Sequence, residues 1–148
     1  MAGVKGSLKA FGSEKETLYL VDISSFIFRA FFAIRSLNNS KGEPTNAVYG
    51  VATMMARLLE EADPKHLVAV FDSKGPTFRK EIYDDYKANR SEPPEDLVPQ
   101  FERIDRLVEV MQISAHKQKG FEADDLIATL CKIWKKKSKK NKVVVVTG

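Results

Sequence analysis

Three short apolar runs, Leu18-Tyr19-Leu20-Val21, Leu67-Val68-Ala69-Val70-Phe71 and Val143-Val144-Val145-Val146, set the framework of this chain. None alternates polar with apolar residues, so each reads as a strand covered on both faces of a parallel sheet. Helical patterns fill the intervals. Ser24 and Ser25 are placed to cap a short apolar helix from Phe26 to Ile34, and Val48, Val51, Ala52, Met55, Leu58 and Leu59 recur at helical spacing. Pro94 reads as a first-turn proline ahead of Leu97, Phe101, Ile104, Val108 and Met111, and a last helix carries Ala123, Leu126, Ile127, Leu130 and Trp134. Ile113-Ser114-Ala115-His116 reads as a further short strand. Strands and helices alternating at these spacings predict an α/β domain with a mainly parallel sheet and helices on both faces.

Composition narrows the class. A chain of 148 residues that is 43% hydrophobic suits one domain with a real core. It has no apolar run near the length of a membrane span and no secretory leader, so a cytoplasmic protein without a membrane partner is expected. Residues 1–17 are small and charged with no apolar period and read as a flexible tail. The single cysteine, Cys131, sits among apolar helix residues and reads as a core side chain. Neither His66 nor His116 has a cysteine or histidine at metal-ligand spacing in the sequence, and both read as structural. The lysines from Lys132 to Lys142 read as a solvated helix end, although a net charge of +4 permits a polyanionic partner.

The acids fall where chemistry is expected. Ligands of open α/β sheets bind beyond the carboxyl ends of the strands. Asp22 and Asp72 close two of the apolar runs, and the stretch Gly120-Phe121-Glu122-Ala123-Asp124-Asp125 opens the last helix. Acids in a first turn also suit the helix dipole with no further role. Five carboxylates at one edge, however, repel one another unless cations neutralise them, and an all-oxygen set points to Mg²⁺ or Mn²⁺ rather than zinc. Between Ser73 and Pro99, the residues Arg79, Tyr83, Tyr86, Lys87 and Arg90 follow a helical spacing that makes a basic and aromatic stripe. Such a stripe serves equally as a solvated surface or as a grip on a phosphate backbone with stacked bases. Acids beside such a stripe suit metal-assisted phosphodiester hydrolysis.

Several blocks resemble the 5′ to 3′ exonuclease, or flap endonuclease, domain at the N-terminus of bacterial DNA polymerase I. They are Leu20-Val21-Asp22 with Arg29, Gly42-Glu43-Pro44-Thr45 with Tyr49-Gly50-Val51, Phe71-Asp72-Ser73-Lys74 with Phe78-Arg79, Tyr86-Lys87 with Arg90, the Gly120 to Asp125 stretch, and Thr147-Gly148. The resemblance implies a PIN-like α/β nuclease over residues 18–148, with residues 73–99 forming part of a helical arch. It implies Asp22, Asp72, Glu122, Asp124 and Asp125 as metal ligands for a pair of Mg²⁺ or Mn²⁺ ions in the complete site. Arg29, Lys87 and Arg90 are implied as catalytic, and Arg29, Arg79, Tyr86, Lys87 and Arg90 as DNA-binding, the substrate being DNA with a 5′ flap or 5′ end. Two features depart from the family pattern. Ile23 stands where a smaller residue is usual, and the chain stops at Gly148 where similar proteins continue into further acids. The expectation is therefore the N-terminal part of such a domain, completed by a downstream segment or a second chain. A non-catalytic DNA-binding fragment and a PIN-type ribonuclease are the alternatives.

Overall fold

The computed structural model describes residues 17–88 and 91–148. The tail read over residues 1–16 and the expected DNA contact Arg90 lie outside them. Thr17, counted with that tail, instead opens the first strand and is buried.

The described elements are β1 (Thr17–Asp22), α1 (Ile23–Ala33), α2 (Asn46–Ala62), β2 (His66–Val70), α3 (Phe78–Ile82), α4 (Val98–Val110), β3 (Ser114–His116), α5 (Ala123–Lys137) and β4 (Lys142–Val146). The four strands form one sheet in the order β3-β2-β1-β4, and every pairing is parallel. Leu20 of β1 sits opposite Val68 on one side and Val145 on the other.

Alternate residues of β1 serve opposite faces. Tyr19 and Val21 join Ile27 of α1, Val51 and Met55 of α2, and Ile104 and Val108 of α4 in the larger core. Leu18 and Leu20 pack with Val70, Ala123 and Ile127 under α5, where Leu130, Cys131 and Trp134 also lie. Both faces of the sheet are thus covered, as the unbroken apolar runs require. None of the described helices is long and apolar enough to cross a membrane.

A buried polar joint fixes the helical layer. The Gln100 side chain is fully buried and satisfied: Oε1 accepts the Ala47 N–H at 2.8 Å and the Val48 N–H at 3.2 Å, while Nε2 donates to Asn46 Oδ1 at 2.8 Å and to the Asp96 carbonyl at 2.9 Å. Asn46 Nδ2 donates in turn to the carbonyls of Phe31 and Ile34. One side chain of α4 thereby supplies the first turn of α2 with the acceptor its free N–H groups need. α1 and α2 approach closely at Gly50, where a Cβ would stand 2.5 Å from that of Ala30.

Several boundaries differ from the sequence reading. α1 starts at Ile23 because the carboxylate of Asp22, rather than Ser24 or Ser25, caps it by accepting the Ser25 N–H at 3.1 Å. Ile23 itself is fully buried in the larger core. Pro99, not Pro94, is the first-turn proline of α4, and the Pro94 carbonyl accepts the Leu97 N–H in the preceding turn. Among the described residues β4 is an edge strand paired with β1 alone, and Val145 is 45% exposed. The described residues of the stripe, Arg79 to Lys87, do not share one helix: α3 ends at Ile82, turns follow, and Lys87 takes a positive φ of 57°.

Candidate functional site

The parallel sheet delivers its acids to one edge. Asp22 ends β1, Asp72 follows β2, and these strands are neighbours, with Asp22 opposite Val70. Asp22 is 8% exposed: Oδ1 caps α1, and Oδ2 accepts from the Thr147 hydroxyl at 3.3 Å. Ser25 Oγ lies 3.2 Å from Thr147 Oγ1 and accepts the Gly148 N–H at 2.7 Å. The end of β4 is thereby tied to the start of α1. Asp72 is exposed, and its Oδ1 accepts the N–H of Ala123, the first residue of α5, at 2.8 Å. Its own N–H donates to Ser24 Oγ at 2.8 Å.

The N-terminus of α5 carries the other acids. Glu122 caps this helix and forms a capping box with Asp125, whose Oδ2 accepts the Glu122 N–H at 3.0 Å. Glu122 Oε1 lies 2.8 Å from Lys87 Nζ, and its Oε2 accepts from the Tyr86 hydroxyl at 3.3 Å. Arg79 grips Asp125 with both terminal nitrogens, at 2.7 and 2.6 Å. Those hydrogen bonds hold the Asp125 carboxyl below the usual carboxylate range against the opposing effect of burial, and they raise the guanidinium in return. Asp124 is exposed on the first turn.

The strand-to-helix loops hold this group together. Gly120, at φ +84° where a side chain is strained, turns the chain so that its carbonyl accepts the Phe78 N–H at 3.0 Å. The Ser73 hydroxyl donates to the Phe121 carbonyl, and the Phe78 and Phe121 rings lie 5.6 Å apart. A cavity of about 650 Å³ opens here, lined by Asp72, Lys80, Asp84, Tyr86, Lys87 and Glu122. A second, of about 800 Å³, shares Asp72 and runs between Phe28, Phe71, Phe101 and Lys117.

The structure therefore gathers Asp72, Glu122, Tyr86 and Lys87 around one cavity and places Arg79 and Asp125 beside them in a pair. Asp22 lies at the same sheet edge, and Arg29 is exposed on α1. Among the described residues, no three Asp, Glu, His or Cys side chains stand close enough to hold a metal ion. Glu122 and Asp125 are met instead by Lys87 and Arg79. The donors themselves are hard carboxylate oxygens, which suit a hard divalent cation. Ser25 was marked in the sequence only as a helix cap, and Lys80 was not marked because the stripe runs through Arg79 instead.

A parallel sheet with acids at its carboxyl edge and a basic, aromatic segment laid over them makes a PIN-like α/β fold. Residues 17–148 match the family model described as the 5′-3′ exonuclease, N-terminal resolvase-like domain, and the chain belongs to that family. It is 41% identical over 128 residues to a 5′-3′ exonuclease of Aquifex aeolicus, covering 86% of this chain and 44% of the relative. It is also 46% identical over 117 residues to DNA polymerase I of Chloroflexus aurantiacus, covering 78% of this chain and 12% of the relative. The chain thus spans less than half the length of these relatives. Among solved structures, a bacteriophage T5 5′-exonuclease with bound zinc aligns with a TM-score of 0.63 at 21% identity, covering 88% of this chain and 48% of that one. A T5 flap endonuclease complexed with DNA and metal ions aligns with a TM-score of 0.62 at 24% identity, with the same coverage. Both share the fold.

Proposed function

We propose that this chain carries the cation-binding and strand-binding residues of a metal-dependent 5′ to 3′ exonuclease or flap endonuclease, acting in the cytoplasm on DNA with a 5′ end or 5′ flap. The observation that carries this reading is that Asp72, bonded through Oδ1 to the first residue of α5, shares one cavity with Glu122, Tyr86 and Lys87, while Asp22 ends the adjacent strand at the same sheet edge. Family membership and the metal-bound T5 relatives support it.

In this reading Asp22, Asp72, Glu122 and Asp124 hold Mg²⁺ or Mn²⁺, a pair of ions in the complete site. Bound divalent cations supply a reactive water at neutral pH and stabilise the leaving oxygen. The chain's own residues do the rest. Lys87, whose ammonium lies 2.8 Å from Glu122 Oε1, would reach a backbone phosphate of the strand. Arg29 and Arg90 add phosphate contacts, and Tyr86 offers a ring face to a base. Residues 73–99 serve as part of the arch over the strand.

The test is hydrolysis of a labelled 5′-flapped duplex, set against the same strand as single-stranded RNA, with Mg²⁺ or EDTA. Cation-dependent cutting of the flap, lost in Asp72→Asn, is expected. Binding without cutting would favour a DNA-binding role without chemistry, and preferential cutting of the RNA would favour a PIN-type ribonuclease.

A further inference from the structure

Arg79 and Asp125 both carry the sequence signature of site residues, yet their polar atoms are committed to each other. Arg79 Nη1 donates to Asp125 Oδ2 at 2.7 Å and Nη2 to Oδ1 at 2.6 Å. Oδ2 also accepts the Glu122 N–H at 3.0 Å. A carboxylate has about four acceptor directions, so three are filled by the protein. The guanidinium carbon also lies 4.6 Å from the Phe78 ring centre and 6.0 Å from that of Tyr86. The two side chains are only 31% and 19% exposed.

α3 needs such an anchor. It has five residues, none of them buried, and a helix that short does not hold itself in water. Its other ties to the Gly120 loop are the Phe78 N–H to Gly120 carbonyl bond and the contact between the Phe78 and Phe121 rings. Isolated surface ion pairs contribute little, but a stacked bidentate arginine pair that is two-thirds or more covered is the favourable exception.

We propose that Arg79 and Asp125 are a positioning clasp rather than a phosphate contact and a cation ligand, with Arg79 Nη1 also 4.0 Å from Glu122 Oε2 beside it. The clasp fastens α3 to the first turn of α5 and so sets where Tyr86 and Lys87 meet Glu122. The claim rests on the functional reading above for its cation arm alone. Asp124 is the neighbouring acid whose oxygens remain open to an ion.

The experiment compares the wild-type protein with Arg79→Lys, Asp125→Asn, and the combined Arg79→Lys with Asp125→Glu. Lysine keeps the charge but loses the fork, and glutamate at the third position of α5 restores reach while still completing a capping box. Trypsin cleavage after Lys80 and Lys87, followed by mass spectrometry in EDTA, reads the fastening without any cation. Each single change is expected to speed cleavage about fivefold or more, and the combined variant to return within about twofold of wild type. In the same proteins, Mn²⁺ affinity from titration calorimetry is expected to stay within about threefold in Asp125→Asn. A combined variant cleaved at least as fast as Arg79→Lys would overturn the clasp whatever becomes of the cation reading. A tenfold or greater loss of Mn²⁺ affinity in Asp125→Asn, with cleavage unchanged, would return Asp125 to the ligand set. Arg79→Lys reads the clasp independently should Asp125→Asn fold poorly.

Discussion

Asp72 holds two positions at once, and two substitutions separate them. Its Oδ1 accepts the Ala123 N–H at 2.8 Å, one of the donors that a helix start leaves without an internal partner. Asp72→Ala removes that acceptor, and loss of a cap of this kind costs about 1 kcal/mol. At roughly 2–4 °C per kcal/mol for a domain near this size, the melting temperature in EDTA falls by about 2–4 °C. Asp72→Asn keeps the acceptor and gives up only the charge facing the helix dipole, so its fall is expected to be less than half as large. In excess Mg²⁺ the comparison changes. A ligand at 100 times its dissociation constant stabilises the native state by about 2.7 kcal/mol, or roughly 5–10 °C here. Both variants should lose most of that rise. Circular dichroism melts at 222 nm, with EDTA and with Mg²⁺, measure the two effects separately. Asn melting as low as Ala in EDTA would refute the hydrogen-bonding argument, and a full Mg²⁺ rise in Asp72→Asn would remove Asp72 from the ligands.

Gln100→Leu should be among the most damaging changes in the chain, because it leaves the N–H groups of Ala47 and Val48 and the side-chain oxygen Oδ1 of Asn46 without the partner they have now. At about 1–3 kcal/mol for a buried orphan, a loss of roughly 3–5 kcal/mol in urea titration is expected, and less than about 1 kcal/mol would contradict the buried joint. The Asp125 carboxyl titrates below its usual range in the folded state, so the stability it contributes is present at neutral pH and is lost as pH falls through that depressed value. Melts taken from pH 7 down to pH 3 should therefore show wild type losing more of its stability than Asp125→Asn below about pH 4; parallel curves would rule the pair out as the cause. Lys87→Ala with Arg90→Ala should weaken binding of 5′-flapped DNA and flatten its salt dependence by up to roughly two phosphate contacts, and Lys139→Ala with Lys140→Ala should do much less. The reverse ranking in fluorescence anisotropy would move the strand to the far end of α5.

The layered fold was legible in the sequence because burial on both faces leaves a mark that few other patterns imitate. β1 and β2, and the apolar stripes of α2, α4 and α5, fall where the periodicity puts them. The same signal failed to rank the strands. A run of four valines looks alike at the centre of a sheet and at its edge, and among the described residues β4 proved to be an edge strand with Val145 half exposed. The helical spacing through Arg79, Tyr86 and Lys87 was misleading for a related reason. That segment is held by Gly120, Phe121, Glu122 and Asp125, more than thirty positions away, and not by its own periodicity. The acids at the strand ends were legible as a class. Their partners were not, because the hydroxyl of Thr147 on Asp22 and the guanidinium of Arg79 on Asp125 are products of chain crossing.

The strand order also constrains how the chain assembles. β1 lies inside the sheet with β2 and β4 as its neighbours, so one of its edges waits for β4, the latest in sequence of the described strands. At synthesis rates of roughly 5–20 residues per second, the 76 residues from Val70 to Val146 take about 4–15 s to emerge. For that interval the nascent chain presents Leu18 to Val21, all buried in the folded protein, as an open hydrogen-bonding edge. With every pairing parallel and none a local hairpin, the sheet also has high contact order and should fold slowly. A newly made chain is therefore most exposed to aggregation, and most dependent on chaperones, before Val143 to Val146 close that edge.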